Sequence, residues 1–472
     1  MIRLQIIILL LFYYSSIGQT IRYVDWANGN DANPGTNISF PKKHLEEAVN
    51  LMSPGDITYL RGGTHQVEAA YKATSQVNRV YIQNKNGNVS DSFYIHNYQD
   101  EVVVFDFDIP GMDGSAGDGI VCVKIQDCSY ISLKGIRITN IHQPSSGNNS
   151  PVGMVLYNCD NSRVRNVTID NIQGYGMYLQ GDQPPPTGNG SDNNHILNVD
   201  IHHCADPFTN YEGANGFNIT GGDYSTNNTF EGCRAWLCAD DGFDQFGTDG
   251  HNIYINCWSF ANGFRESSPG NYVHETEMDG DGFKTGPAST DNSSNPNPIR
   301  TYRNCLAAGN WAFGFDQNAS ESNTGKHNML NNSAYYNGLG GVFTAGFFFG
   351  ANTSILQIFK NNASNTGING EEITSGANVA TNSWNGSINL TDADFIQISN
   401  TVSSIITALS VARNSDGSLP NINWGKLITG SDLIDAGTDV GIPFNGAAPD
   451  IGWFESGSSI SNTIYKRIKG KF

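Results

Sequence analysis

Positive charge is scarce in this chain. Its 472 residues carry 26 lysines and arginines against 45 aspartates and glutamates, a formal net charge of −19. That balance excludes nucleic acid as a natural partner, and it disfavours a bare polyanion unless a cation mediates. Long apolar runs are missing too. The run at residues 6–12 is too short to cross a bilayer, and no later stretch reaches about 18 apolar residues, so no membrane span is expected. Long amphipathic helical patterns are nearly absent. The one convincing case is "KHLEEAVNLM", residues 43–52, with Leu45, Ala48, Val49 and Met52 on one face.

What is present is turn chemistry and short strands. Glycine reaches 53 residues, and brief β-branched or aromatic runs alternate with Asn- and Gly-rich breaks, the pattern of an all-β chain. The chain opens with Arg3, the apolar run and then Ser15, Ser16 and Gly18. A basic start, a short apolar core and small residues are the marks of a secretory signal peptide, with cleavage expected near Gly18–Gln19. A secreted monomer is the expectation.

One motif recurs: a short run, then Asn or Gly, then an apolar residue or Cys. It reads "YISLKGIRI", "SRVRNVTI", "HILNVDI", "NTFEGCRA", "HNIYINCWS", "RTYRNCLA", "NMLNNSA" and "IFKNNAS". The anchors are Gly135, Asn166, Asn198, Gly232, Asn256, Asn304, Asn332 and Asn362. They lie between 24 and 34 residues apart, apart from Asn256 to Asn304, which at 48 is twice 24. A period of that length without helices predicts a parallel β-solenoid, whose coils bury their apolar faces only by stacking. The anchor asparagines either form a ladder between coils or serve as local left-handed turns. Cys233, Cys257 and Cys305 each follow an anchor, and Cys128 and Cys159 keep the same spacing. That register favours buried free thiols over disulfides in the eight-cysteine chain. The expected organisation is a signal peptide over 1–18, an N-terminal cap region over 19–60 containing the helix, a β-helix over 61–390, a closing segment over 391–455 and a tail over 456–472.

The most acidic stretch is "CADDGFDQFGTDG", residues 238–250, with Asp240, Asp241, Asp244 and Asp249 and no basic residue. Either it is a solvated loop or something positive sits among the carboxylates. Asn215 lies 25 residues before Asp240, close to the local coil length, and so should stack beside the cluster. Lys284, in "DGDGFKTG", follows Asp244 by 40 residues, one coil plus an insertion. Three carboxylates and an amide are hard oxygen donors that suit Ca²⁺ better than zinc or copper, although the EF-hand spacing is absent. A lysine beside a bound dication has its ammonium form disfavoured and becomes a usable base.

"ANGFNIT", "CRAWLCADDGFDQF", "GDGDGFKTG" and "WAFGFDQN", in that order, resemble family 9 of the polysaccharide lyases. "GNDANPGT", "PGDITYLRGG" and "ARNSDGSLP" extend the resemblance over most of residues 22–454. It implies a right-handed parallel β-helix that cleaves an acidic polysaccharide, most simply pectate, by β-elimination. It further implies one Ca²⁺ held by Asp240, Asp241 and Asp244, with Lys284 as the base. The first ligand position falls on Asn215, where the family usually has aspartate. Asp316 and Gln317, in "GFDQN", are candidates for the groove border, and Arg234, Arg265 and Arg300 for clamps on substrate carboxylates. The competing readings are a non-catalytic carbohydrate-binding β-helix and a glycoside hydrolase of polygalacturonase type.

Overall fold

The computed structural model describes residues 18–67, 78–108, 120–143, 150–181, 190–219, 225–248, 250–286, 298–318, 325–341, 345–350, 356–365, 371–385, 388 and 390–457. Residues 1–17 of the expected signal peptide, Asp249 and most of the tail lie outside them. Within them the chain winds through three parallel sheets in turn. The first sheet, of twelve strands, runs from Ile21–Val24 to Asn378–Ala380. A ten-stranded sheet runs from Gly63–Gln66 to Ala363–Ser364. The third, also of ten strands, runs from Asn78–Gln83 to Glu372–Ile373 and is called the site sheet below. Each strand pairs with its counterpart one coil away, which makes a parallel β-helix. Among the described residues no helix is long and apolar enough to cross a membrane.

The N-terminal helix is Leu45–Asn50, shorter than the apolar pattern predicts. Asp31 Oδ1 accepts the backbone N–H groups of Lys43 and His44 at 3.1 and 3.0 Å, which holds both residues outside the first turn. Leu45, Ala48 and Val49 are buried against the first coils. A second helix, Val402–Leu409, lays Ile405, Ile406 and Leu409 on Trp236 and Phe260 of the Gly63–Ala363 sheet.

The anchors divide into two kinds. Gly135, Asn166, Asn198, Gly232, Asn256 and Asn304 have φ between 52° and 75°, so the left-handed turn is their role. In the next two coils that position belongs to Asn331 and Asn361, not to Asn332 and Asn362. Asn332 and Asn362 face inward instead, where Asn332 Nδ2 donates to Asn362 Oδ1 at 3.0 Å and Asn362 Nδ2 to Asn382 Oδ1 at 2.8 Å. Similar ladders join Asn194, Asn228 and Asn252, and Asn262, Asn310 and Asn337. A buried amide needs partners for both ends, and stacking identical amides one coil apart supplies them. All eight cysteines are buried free thiols, and Cys128 pairs in register with Cys159.

Candidate active site

A four-residue unit, x-Gly-Phe-z, recurs on the site sheet: "NGFN" from Asn215, "DGFD" from Asp241, "DGFK" from Asp281, "FGFD" from Phe313 and "AGFF" from Ala345. The phenylalanines Phe217, Phe243, Phe283, Phe315 and Phe347 point inward. They stack face to face with centroids 4.5, 4.8, 4.7 and 4.8 Å apart. Burying each contributes about 1.5–3 kcal/mol, and the stack fixes the register of the coils. The z residues then align across the sheet: Asn218 with Asp244, Asp244 with Lys284, Lys284 with Asp316, and Asp316 with Phe348.

The glycine of each unit has no room for a side chain. A Cβ on Gly242 would lie 1.9 Å from Ser259 Oγ and 2.6 Å from Asn262 Nδ2. Gly242→Ala should therefore displace the strand carrying Asp241 and Asp244. We expect a loss of about 1–3 kcal/mol in stability, read by denaturant unfolding, and a larger loss of activity than stability alone would give.

The x residues form a second column. Asn215 Oδ1 accepts the Asp241 N–H at 2.7 Å, Asp241 Oδ1 accepts the Asp281 N–H at 2.8 Å, and Asp281 Oδ1 accepts the Phe313 N–H at 2.9 Å. One side chain per coil thus holds the backbone of the next. Asn215 Nδ2 also donates to Asp244 Oδ2 at 2.9 Å, and Asp244 Oδ1 accepts the Phe246 N–H at 2.8 Å. The Asn215 amide can face only this way, because its oxygen meets a donor and its nitrogen meets a carboxylate. Lys284 Nζ lies 3.2 Å from Asp241 Oδ2 and 3.4 Å from Asp279 Oδ2.

These groups are buried together. Asp240, Asp241, Asp244 and Asp281 are at most 8 % exposed. Burial, then the Asp241 charge, pushes the Asp240 carboxyl well above its ordinary range. Burial also raises Asp241, despite Lys284, and lifts Asp244 to about 7. Asp281 is raised by burial, Asp316 and Asp241, and Asp316 is raised by burial to about 6. Burial alone would lower Lys284, but Asp241, Asp244, Asp240 and Asp281 outweigh it and hold its ammonium well above the usual lysine range. The side chains do not form a ready-made metal cage among the described residues. The donor set nevertheless fits a hard dication. Its carboxylates are hard oxygen donors, Lys284 is the one cation set against several of them, and Asp241 Oδ2 is buried and accepts no aligned hydrogen bond.

Not every residue singled out from the sequence reaches this surface. Arg234 is enclosed beneath the closing segment. Its Nε and Nη2 pair with Asp200 at 2.8 and 2.7 Å, and Nη1 donates to the carbonyls of Leu409 and Val411. Burial would raise the Asp200 carboxyl, but Arg413 and Arg234 hold it down at about 2. Arg300 is fully buried and donates to the carbonyls of Thr285 and Thr248 inside the coil. Gln317 is fully buried too, because it follows outward-facing Asp316 and so points inward. These three are corrected from substrate contacts to interior groups. Arg265 sits on the antiparallel hairpin Arg265–Ser268 and Asn271–Val273, in the expected insertion, paired with Glu275. Asp316 stands next to Lys284 in the z column. The sequence reading missed Asp281, although its place before Gly282 and Phe283 repeats that of Asp241 before Gly242 and Phe243.

Residues 23–385 match the family described as "Pel9A-like, right handed beta helix region". The chain belongs to that family. The relatives agree. Pectate lyase L of Dickeya dadantii is 28 % identical over 434 residues, covering 91 % of this chain and 89 % of that protein. Pectate lyase L of Paenibacillus polymyxa is 30 % identical over 423 residues, covering 88 % and 83 %. The crystal structure of pectate lyase Pel9A superposes with a TM-score of 0.73 at 26 % identity, over 93 % of this chain and 97 % of that one. A rhamnogalacturonan lyase, 23 % identical with a TM-score of 0.71 over 87 % and 97 %, shares the fold. With these relatives the chain is a polysaccharide lyase of right-handed parallel β-helix architecture.

Proposed function

We propose that this lyase is secreted, depends on Ca²⁺ and cleaves a uronate-containing polymer of the pectate kind, with Lys284 as the base. The observation that carries the reading is Lys284 itself. It is the single cation of the five x-Gly-Phe-z units, in register between Asp244 and Asp316 and 3.2 Å from Asp241. The residues to hold the ion are Asp240, Asp241 and Asp244, with Asn215 as a fourth ligand through the second lone pair of its Oδ1. When bound, the ion supplies the positive charge that offsets these carboxylates, gives the substrate carboxylate a partner, and makes the adjacent C5 proton more acidic. Lys284 Nζ, neutral, takes that proton. The electron pair left at C5 forms a double bond to C4, the C4–O4 bond breaks, and the leaving oxygen takes up a proton from solvent. Asp241 orients Lys284, and Asn215 holds both Asp241 and Asp244 in place. Secretion rests on the signal-like residues 1–18. A panel of uronate polymers, followed by ultraviolet absorbance with and without chelator, tests the reading. Product from none of them would reject it.

Asn215 carries a prediction of its own. In Asn215→Asp a carboxylate oxygen would face Asp244 Oδ2 where the amide now donates at 2.9 Å. The metal-free variant should be destabilised by about 1–3 kcal/mol. It should bind Ca²⁺ more tightly than the wild type, because ligand charge is a main control on affinity. Calorimetric titration with Ca²⁺ checks this, and equal affinities would separate Asn215 from the ion.

A further inference from the structure

The columns on either side of the charged centre bear on which polymer fits. Lys284 stands two positions from Phe348 in the z column, with Asp316 between them. Phe313, of the x column, stacks on Phe348 with centroids 4.4 Å apart and planes 12° from parallel. Both rings are half-buried. On the other side, Asn218 is followed by Tyr178, whose ring lies 4.7 Å from that of Tyr175. Three coils, carrying Asp244, Lys284 and Asp316, therefore have an aromatic pair towards each end, with Asn218 between Asp244 and Tyr178.

Cations are missing from the coils next to the charged centre; beyond Tyr178 the column passes Val155 before it reaches Lys124. Residues 166–233 contain no lysine or arginine at all. From Lys284 to residue 385 the basic residues are Arg300, Arg303, Lys326 and Lys360. All four lie on strands of the twelve-stranded sheet, not the site sheet. The next charge along the z column after Asp316 is another acid, Glu372. Adjacent strands are about 4.8 Å apart, close to the length of one pyranose, so a polymer lying along the column meets about one sugar per coil. A contiguous polyuronate would bring a carboxylate to each of these coils and meet aromatic rings or acids. An uncharged pyranose would instead lay its apolar face on Phe348 and Phe313.

We propose that the sugars on either side of the cleaved uronate are uncharged, and that Phe348 is a specificity-determining contact for one of them. This rests on the lyase reading above and narrows its substrate. Two sources supply the chemistry: a backbone in which galacturonate alternates with a neutral deoxysugar, or a galacturonate chain whose neighbouring carboxyls are methyl esters. The test compares kcat/KM on polygalacturonate, highly methyl-esterified homogalacturonan and an alternating galacturonate–rhamnose backbone. One of the latter two should exceed polygalacturonate by about 10-fold or more, and which one does identifies the source. Phe348→Ala should lower kcat/KM on the preferred polymer by about 10-fold, mainly through KM. Phe348→Tyr should retain it, and Phe348→Lys should shift the preference towards polygalacturonate. A wild-type preference for polygalacturonate, or a preference unchanged in both Phe348→Ala and Phe348→Lys, overturns the proposal while leaving the lyase reading intact. Absence of unsaturated product from all three polymers rejects the lyase reading instead. Calorimetric binding of alternating oligosaccharides and oligogalacturonates to the Lys284→Ala protein still decides the proposal in that case, and equal or tighter binding of the oligogalacturonates overturns it.

Discussion

Lys284→Ala should reduce turnover by about 10² to 10⁴-fold, the usual loss when a general base is removed. The effect should fall on kcat, because Lys284 acts on the C5 proton in the transition state. The fold should survive. Lys284 is half-buried on a strand whose register is set by Phe283 between Phe243 and Phe315. Removing its ammonium also leaves Asp241 without its nearest positive charge, so the metal-free variant should melt at a lower temperature than the wild type, and Ca²⁺ should narrow the difference. In the wild type, turnover should rise with pH through neutrality towards an alkaline optimum, since the base must be neutral and its carboxylate neighbours favour the charged form. A variant that keeps wild-type turnover on the best substrate would remove Lys284 from the mechanism, and an acid optimum would favour the hydrolase reading.

Chelation should abolish turnover, and it should also change how stability depends on pH. Asp240, Asp241, Asp244, Asp281 and Asp316 all have folded-state pKa values above their ordinary range, with Asp244 near 7 and Asp316 near 6. A carboxyl raised in this way binds its proton more tightly folded than unfolded. Stability is then highest at low pH and is lost as pH rises from about 4 through the folded values. Lys284 adds no slope in this window, being protonated in both states. The chelated protein should therefore lose on the order of a few °C in Tm between pH 5 and pH 8. Added Ca²⁺ should restore the loss and release protons on binding, most strongly near pH 6–7. Scanning calorimetry at several pH values, with and without Ca²⁺, measures both. A Tm that rises with pH in chelator would contradict the burial of these acids.

The coil architecture was legible because left-handed turns favour Asn or Gly, and those residues recur at the same turn from Gly135 to Asn361. The misplacement at "NNS" and "NNA" has a simple cause. Asn331 and Asn361 make the turn while Asn332 and Asn362 join the interior ladder, and identical neighbours hide which does which. At the site, the clustered aspartates and Lys284 could be picked out, since unpaired acids are conspicuous in a turn. The x-Gly-Phe-z unit was only half seen, because the hairpin inserted between Phe264 and Asp281 breaks its spacing. Arginine was misread for a different reason. Arg234 pairs with Asp200, its register partner one coil earlier, and Arg413 joins the same carboxylate from the closing segment. The anchors Asn198 and Gly232 put Asp200 and Arg234 in the same register, two residues on, but nothing near Arg234 shows that the closing segment covers it. Gln317 was within reach, since strand alternation turns it inward once Asp316 faces out.

The most direct test of β-elimination at this site is the mass of its products. A uronate-containing oligosaccharide of known mass is cleaved in the presence of Ca²⁺, and the two fragments are weighed. Elimination adds no water, so the fragment masses should sum to that of the substrate, and one fragment should carry the unsaturated sugar and its ultraviolet absorbance. Fragments that sum to the substrate plus one water, neither of them absorbing, would show hydrolysis and contradict the account.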